Sequence, residues 1–560
     1  MNTSVSVKTL LAGAVWSASA LLSHAADNEM LLPDSRPDML WTDASLWTTG
    51  GVPSEDSATV LVNIGDADNS LLINSAATVG NLQVEGNSSV ILDAATFKTT
   101  LTGPTPNFGD VLLYGNSAFR LQNGAVLDLA QGMSLKTFNN SSFEVDASTF
   151  NGKFDTQASN VLFRNGSTWN ATGISLASGV CDIVIDDSAV NLLAAFKMGA
   201  GSTAEKSKKF VLKGASTMGG SGGKSGINFA GEVGILEGSA ISNVDHFNIG
   251  AESGAASGIN YVTVRGSSDA VRSSVTADNF WLNTNAGGDS KLVLDGFATI
   301  SAGKFDINNS NGGDFNVVFQ NSGNIANIGN NSIFGTKGGG AMSGSWKIST
   351  AQGAENNAMT FSNQLVFAGS EADGNSVSVG VDWGGGETNE FKAGNIFMNV
   401  GTAANSTAQT YMTVRDGAKM ELGNVNVGND TGTAKSGTSS LNVLDGGALK
   451  VGAVNLNQSD VAGATSVAKL VVSNSTLDQL GGDIRIGGVN ANMRAVSGSS
   501  VMELSNKASV DMGARGLRLL LSTEAGSTAE SRLVVDGSTL VTSGEIFMLH
   551  SSAGIPSATP

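Results

Sequence analysis

Cysteine, histidine and proline are scarce in this sequence, and each shortage excludes a class of protein. Among 560 residues there are one cysteine and three histidines, so neither a disulfide framework nor a histidine-rich metal site is available. Only 7 residues are proline and 14% are charged, whereas 41% are hydrophobic. Disordered chains have less apolar surface than this, so the composition predicts a folded protein.

The few charges are mostly acidic. The formal net charge is −18, and the one basic run, Lys206 to Lys209, is short enough to be a solvated loop. A surface of this sign is repelled by phosphate, which excludes nucleic acid as a partner. No segment after the N-terminus is apolar over enough residues to cross a bilayer, so we predict no membrane span in the mature chain.

The N-terminus has the pattern of a secretory signal peptide, which we assign to residues 1–25. Lys8 supplies the positive charge, Leu10 to Leu22 forms the apolar core, and Ser23-His24-Ala25 places small residues at the cleavage site. An apolar core this short does not span a membrane. We therefore expect a secreted protein.

Glycine is abundant, at 72 residues, and the last third of the chain repeats one short pattern five times. Each copy alternates apolar and polar residues and ends in a polar turn, which is typical of a strand with one buried face. The copies begin 29, 29, 32 and 31 residues apart, and they are Met412–Gly417, Leu441–Gly446, Leu470–Ser475, Met502–Lys507 and Leu533–Ser538. A fixed period of this length predicts identical coils that stack on each other.

These repeats predict an all-β fold, a single-stranded parallel β-helix, with looser copies over residues 58–320 and regular copies over 401–552. Glycine runs blur the pattern over residues 321–400 and predict irregular coils or a loop insertion there. Residues 553–560 are expected to form a C-terminal tail. A row of immunoglobulin-like domains is the alternative, but the seven tryptophans lack the spacing that such domains need.

An open solenoid end exposes apolar core, so the first coil needs a cap. Residues 26–57 are predicted to supply a leader and this cap, because two large aromatics precede the first alternating strand. The proposed cap residues are Trp41, Trp47, Gly50, Gly51 and Pro53.

The tryptophan segment, the later Val79 to Val84 and the repeated strands with Asp-Gly turns resemble the passenger domains of bacterial autotransporters and related surface β-helix repeat proteins. The resemblance implies a right-handed parallel β-helix at the cell exterior with a role in adhesion or matrix formation. It also implies extracellular glycans or other surface proteins as partners.

Two sequence features could carry chemistry. Gly219 to Gly223 matches the nucleophile pattern G-x-S-x-G, but it lies in a glycine run, where a loop is the better interpretation. Asp182, Asp186 and Asp187 form the best carboxylate cluster, and Asp182 and Asp186 share one face of a strand. They are weak candidates for metal ligands, because a solvated face and an Asp-rich turn explain them more simply.

No catalytic set is evident, so we predict a protein that is not an enzyme and needs no cofactor, with a structural or adhesive role. The alternative is a carbohydrate-active β-helix enzyme, a polysaccharide lyase or hydrolase that acts on extracellular glycans. A groove where several carboxylates meet an arginine or lysine would favour the enzyme.

Overall fold

The structure is a computed structural model of the chain. It describes residues 28–552 except for the segments 31–38, 55–58, 65–69, 101–108, 157–158, 177–180, 199–207, 230, 251–258, 283–288, 309–313, 336–342, 369–375, 399–407, 429–435, 489–494 and 524–526. The predicted signal peptide and the predicted tail lie outside the described residues.

The described chain is almost wholly β and divides into two compact units between Asn160 and Val161. In each unit the strands stack coil upon coil in parallel columns, which we name A, B and C. Every pairing between named strands of the described residues is parallel. Immunoglobulin-like sandwiches are built from antiparallel sheets, so that alternative is wrong and the chain forms a β-solenoid.

The first unit contains the first coils and a short 3-10 turn at Ala44–Leu46. Its column A strands are Met39–Leu40, Ser70–Ile73, Ser89–Asp93, Ala118–Gln122 and Ser141–Asp146. Column B contains Ala77–Val79, Thr96–Thr99, Val126–Asp128 and the start of Thr149–Thr156. Column C contains Asn28–Glu29, Thr59–Val62, Asn81–Val84, Val111–Leu113, Ser134–Thr137 and the end of Thr149–Thr156. One further strand, Ser159–Arg164, crosses the division between the units.

In the second unit, column A provides one strand per coil. These strands are Cys181–Asp186, Lys208–Lys213, Glu232–Leu236, Ile259–Arg265, Asp289–Asp295, Phe315–Asn321, Ser343–Thr350, Ser376–Trp383, Gln409–Val414, Thr438–Leu444, Val467–Ser473, Ser499–Ser505 and Glu530–Val535.

Columns B and C of the second unit are joined in the early coils by long strands that run through both. These strands are Thr168–Leu176, Ala240–Ile249, Ser273–Leu282 and Ala298–Asn308. Separate column B strands are Ala189–Leu192, Thr217–Gly220, Asn324–Ile328, Ala358–Phe361, Glu390–Ala393, Lys419–Leu422, Ala448–Val451, Thr476–Gln479, Ser509–Asp511 and Thr539–Val541. Separate column C strands are Phe196–Met198, Ser225–Phe229, Ser332–Gly335, Leu365–Ala368, Ile396–Met398, Val425–Val427, Val454–Leu456, Ile484–Ile486, Leu517–Thr523 and Ile546–Ser552.

The register of column A confirms the repeat that the sequence predicts. Met412 pairs with Leu441, Leu441 with Leu470, Leu470 with Met502, and Met502 with Leu533. These are the first residues of the five copies. The strands are therefore held by stacking of equivalent positions, while the connecting segments absorb the differences in spacing.

Apolar side chains at alternate strand positions fill the interior as ladders. In column C, Phe247, Phe280 and Phe305 are fully buried, and their ring centroids lie 5.1 Å apart in both successive pairs. The rings are nearly parallel, at interplanar angles of 18° and 8°. Identical residues in equivalent positions can stack in this way because successive strands lie about 4.8 Å apart.

The turn that follows column A has a left-handed residue in successive coils. Asp416, Asp445, Asn474 and Asn506 have φ values of 55°, 49°, 49° and 56°. Asn and Asp tolerate this conformation better than other residues with a side chain. The polar ends of the repeats are therefore favoured by backbone geometry.

The described strands within residues 321–400, where irregular coils or a loop insertion were expected, are regular. The described strands there pair in the same three columns, for example Lys347 with Gly380 and Thr360 with Lys392. The glycines supply turns between strands. Gly385 and Gly386, with φ values of 92° and 135°, join column A to column B. Glycine can occupy these left-handed conformations without strain, so the run does not break the solenoid.

The predicted cap segment lies against the first described coils of the first unit. Trp41 and Trp47 are 1% exposed, with ring centroids 5.0 Å apart, and Trp47 Nε1 donates to the Trp41 carbonyl at 3.1 Å. Trp41 also packs edge-on against Phe97 at 5.6 Å. Gly50 has a φ of 68°. The capping role of this segment remains a prediction.

Candidate functional sites on the outer faces

Basic and acidic side chains from three successive coils meet on the outer face of column A in the second unit. Lys347 Nζ lies 2.9 Å from Asp382 Oδ2, and Arg415 Nε lies 2.7 Å from Asp382 Oδ1. Arg415 also contacts Asp416. Asp382 is thus held by cations from the coil before it and the coil after it. We name these residues, with the neighbouring Tyr411, the ionic cluster.

Tyr411 packs over a glycine beside the cluster. A Cβ atom added to Gly380 would lie 2.6 Å from two atoms of the Tyr411 ring, so only glycine leaves room for the ring there. Burial raises the pKa of Tyr411 to about 12, and the charge of Asp382 contributes to the rise. The phenol is therefore protonated throughout the physiological range.

The carboxylate of Asp382 is stabilised in its charged form. Burial by itself raises the pKa of Asp382, but the hydrogen bonds and charges of Arg415 and Lys347 outweigh burial, so the pKa is lowered overall. The hydrogen bond to Asp382 raises the pKa of Arg415. Because the carboxylate is ionised and already accepts from two cations, it is a poor general base. The cluster is better suited to joining coils than to moving protons.

Sequence reasoning missed the ionic cluster because its members are far apart in the chain. Lys347 and Asp382 are 35 residues apart, and Asp382 and Arg415 are 33 apart. Val377, Val379 and Val381 alternate with small residues immediately before Asp382, and all three valines are buried. Following that alternation through residues 321–400 would have placed Asp382 on an outer face.

The predicted aspartates lie where solvent reaches them. Asp182 and Asp186 face outward on column A, and Asp187 occupies the following turn with a φ of 46°. Asp186 Oδ2 lies 2.9 Å from Lys213 Nζ, and this hydrogen bond raises the pKa of Lys213. Within the described part of the chain, no group of three or more His, Cys, Asp or Glu is arranged to hold a metal ion.

The glycine run at Gly219 to Gly223 begins at the end of a column B strand, and Asn243 donates to the Gly220 carbonyl at 2.6 Å. His246 Nδ1 lies 3.2 Å from Asp245 Oδ2, and the His246 ring stacks on Trp281 at 5.2 Å. Packing against tryptophan explains this histidine without any catalytic role.

An open groove of about 440 Å³ follows the turn between columns B and C in the second unit. Its floor is a glycine column, Gly394, Gly423 and Gly452. A Cβ atom on Gly423 would lie 2.8 Å from the Gly394 carbonyl oxygen, so stacking of the turns already requires glycine. Lys392 and Glu421 stand on its rim. The groove combines an exposed backbone with charged edges.

A half-buried apolar stripe runs along the outer face of column C in the same unit. Ile333 pairs with Val366, Val366 with Phe397, and Phe397 with Asn426. Asn455 continues the column and donates from Nδ2 to Asn426 Oδ1 at 2.9 Å. We name these five residues the outer stripe. An apolar strip followed by an amide ladder suits recognition of a surface with both apolar and hydroxyl or amide groups.

No protein-family model, curated protein or solved structure matches this chain. Among the described residues, no helix has the length and apolar character needed to cross a membrane.

Proposed function

We propose that this protein is exported and acts at a bacterial cell surface as a structural or adhesive β-solenoid of the autotransporter-passenger type. The observation that carries the proposal is the regular stack of parallel coils whose outer face bears the outer stripe. Such a stack presents one repeated surface over many coils, which suits multivalent attachment. Export is supported by the signal-peptide pattern of residues 1–25.

The partners proposed are extracellular glycans or other surface proteins. Phe397 and Val366 supply apolar contact, while the half-buried Asn455, which donates to the buried Asn426, supplies a polar group on the same line. The net charge of −18 disfavours anionic partners, so neutral glycans and proteins fit better.

Binding of the purified protein to neutral glycan arrays and to intact bacterial cells tests the proposal. Val366→Lys should weaken binding at least about tenfold, because it places a charge in the centre of the stripe. Val471→Lys is the matched control, since Val471 is also a half-buried valine that faces outward, but on column A. Equal losses for both variants, or no binding by the unmodified protein, would contradict an adhesive stripe.

The ionic cluster is the observation behind a second candidate, a carbohydrate-active enzyme, although its ionised Asp382 is a poor general base. Two carboxylates, an arginine and a lysine converge there, as a polysaccharide lyase or hydrolase would need. The test is turnover of pectic, mucin or alginate-like polysaccharides. Turnover that Asp382→Asn abolishes and Asp295→Asn retains would support the enzyme and overturn the structural role. Asp295 is a suitable control because it lies on the same face, and among the described residues its ion-pair partner is Arg265 alone, at 3.9 Å.

A further inference from the structure

Exposed charges of alternating sign follow the outer face of column B in the second unit. Lys392 pairs with Glu421, Glu421 with Lys450, and Lys450 with Asp478, so each of these successive coils carries one charge in the same row. We name these four residues the charge row. Lys392 contacts Glu390 at 3.2 Å, whereas no described residue lies within ion-pair distance of Glu421, Lys450 or Asp478. Most of the row is thus free to pair with charges outside the chain.

The groove beside the charge row ends at an exposed leucine. The Leu480 amide donates to the Val451 carbonyl at 2.6 Å, as the Gly452 amide donates to the Leu422 carbonyl at 3.1 Å. Leu480 therefore occupies the position in its coil that glycine occupies in the preceding coils. It is 52% exposed and lines the groove. The same face thus carries a projecting apolar side chain and a row of coils without one.

The charge row is complementary to itself under a two-fold rotation. An axis that runs along the strands, midway between the coils of Glu421 and Lys450, reverses the order of the coils in a second copy. Glu421 then faces Lys450 of the second copy, and Lys392 faces Asp478 of that copy. Each contact occurs twice, because a two-fold interface is symmetric. Opposite charges therefore meet at every position of the charge row.

The same rotation places the leucine in the groove. Leu480 of each copy comes to face Gly394 of the other, because both residues lie on the same row of turns and equally far from the axis. Glycine leaves the floor of the groove open there, so the leucine side chain is removed from water on contact. Charge and shape are therefore matched by one and the same rotation.

Other registers match the charge row less well. Centring the axis on the coil of Glu421 places Lys392 opposite Lys450, and centring it on the coil of Lys450 places Glu421 opposite Asp478. Moving the axis between the coils of Lys392 and Glu421 places Lys450 opposite the uncharged Thr360. The register midway between Glu421 and Lys450 alone, among these four, gives every member of the row an opposite charge.

We propose that this face of column B pairs with the same face of a second copy of the chain to form a two-fold symmetric dimer with antiparallel stacks. A second copy supplies both the reversed charge row and the leucine for the groove, and the interface closes on itself. Beside the charge row, Glu390 faces Thr476 and Lys419 faces Ala448, so no like charges meet there. The outer stripe lies on column C, so the proposal is independent of what the stripe binds.

Sedimentation velocity of the purified protein tests the charge contacts. The unmodified protein should dimerise at about 50 mM salt and at least about tenfold more weakly at about 500 mM, because exposed charges are screened. Glu421→Lys should weaken dimerisation at least about tenfold, since it opposes Lys450 of the second copy. The double variant Glu421→Lys/Lys450→Glu should restore dimerisation to within about threefold of the original. A monomer at every concentration, open-ended oligomers, or a double variant as weak as the single one would each overturn the proposal.

A pair of matched leucines tests the groove contact. Leu480→Asp should weaken dimerisation at least about tenfold, because the groove of the second copy loses its apolar occupant. Leu193→Asp is the control, since Leu193 is also 52% exposed and also follows a column B strand, Ala189–Leu192, far from the axis. It should leave dimerisation within about threefold of the original. Equal effects of the two substitutions would place Leu480 outside the interface and overturn the proposed register.

Distances between spin labels test the antiparallel arrangement in the dimer. Cys181 is the single cysteine, so Cys181→Ser gives a background for labelling. Labels at Thr299→Cys should lie about 20 Å farther apart between copies than labels at Ala358→Cys. The reason is that Thr299 lies two coils farther from the axis, and an antiparallel pair counts each coil twice. Equal separations at both positions would indicate parallel stacks and overturn the proposal.

Discussion

At the scale of single residues, the ionic cluster shows how stacking creates strong electrostatics from ordinary side chains. Asp382 keeps its charge although it is largely buried, because Lys347 and Arg415 reach it from adjacent coils. The same charge, together with burial, opposes ionisation of Tyr411. Protonation in this part of the chain is therefore decided by contacts between coils.

Titration of Tyr411 should report this environment. Its pKa is raised from 10.0 to about 12, so the folded state binds a proton that the unfolded state releases. The resulting stability is present below pH 10 and is lost as the pH rises toward 12, by about 2 kcal/mol once partial exposure is allowed for. The phenolate absorbance of the unmodified protein minus that of Tyr411→Phe measures the shift. Asp382→Asn should bring the midpoint closer to 10, and an unchanged midpoint would mean that burial acts alone.

The interior ladders make a second prediction. Val472 is 0% exposed and pairs with Val443 and Leu504, so Val472→Asp buries an unpaired charge. We expect its strand, Val467–Ser473, to lose about 4 kcal/mol or more of protection in hydrogen exchange. Val443→Asp and Leu504→Asp should behave alike, because all three side chains point inward.

The control for that prediction is the adjacent residue. Val471 faces outward and is half-buried, so Val471→Asp should cost less than about 1 kcal/mol. Asp445→Asn, in the turn, should also cost little because Asn keeps the left-handed conformation. Similar losses at Val471 and Val472 would mean that the inward face is assigned incorrectly.

At the scale of elements, the turn after column A is as much a part of the repeat as the strand. Its left-handed residue allows the chain to change direction at the same place in the successive coils that contain Asp416, Asp445, Asn474 and Asn506. Backbone hydrogen bonds then join successive turns, as from the Gly446 amide to the Asn474 carbonyl at 2.7 Å. Asp and Asn recur there because the turn needs this conformation.

Substitution of Asn474 tests the turn. Asn474→Val forces a β-branched residue to a φ of 49° and should destabilise the neighbouring strands by about 1–2 kcal/mol. Asn474→Gly should be nearly neutral. Asn442→Val, on the outer face of the strand before, is the control and should change stability by less than about 0.5 kcal/mol. Hydrogen exchange of Thr438–Leu444 and Val467–Ser473 distinguishes these outcomes.

At the scale of the whole molecule, each unit is a stack in which a coil contacts mainly its neighbours. Damage to one coil should therefore spread only a short distance. The ends differ from the middle, because a terminal coil has a neighbour on one side only. In the first unit that open side is where Trp41 and Trp47 are buried.

The cap hypothesis makes a local prediction. Deletion of residues 26–53, or Trp41→Ala alone, should lower hydrogen-exchange protection over Thr59–Val62 and Ser89–Asp93 and promote aggregation, since apolar surface is uncovered. Protection over Thr438–Leu444 should be unchanged. Trp281→Ala is the control, because Trp281 is half-buried on an outer face. If the truncated protein does not aggregate and its hydrogen-exchange protection over Thr59–Val62 and Ser89–Asp93 is unchanged, the segment is not a cap.

The amino-acid sequence by itself determined that the chain forms stacked coils. Alternation placed Met412, Leu441 and Leu470 on the inner face, and their spacing set which residues stack, because a parallel register aligns equivalent positions. The same alternation was not recognised over residues 321–400, because the glycines in the turns between strands interrupt the apolar pattern.

Only the tertiary structure decided what lies side by side on the outer faces. Lys347, Asp382 and Arg415 lie on successive coils, so their contacts join residues that are 35 and 33 positions apart in the sequence. The connections between strands vary in length, so no fixed sequence period aligns these residues. The division at Asn160 was equally invisible in a uniform repeat. Local periodicity fixes which side of a strand is buried, whereas contacts between coils depend on the three-dimensional path of the chain.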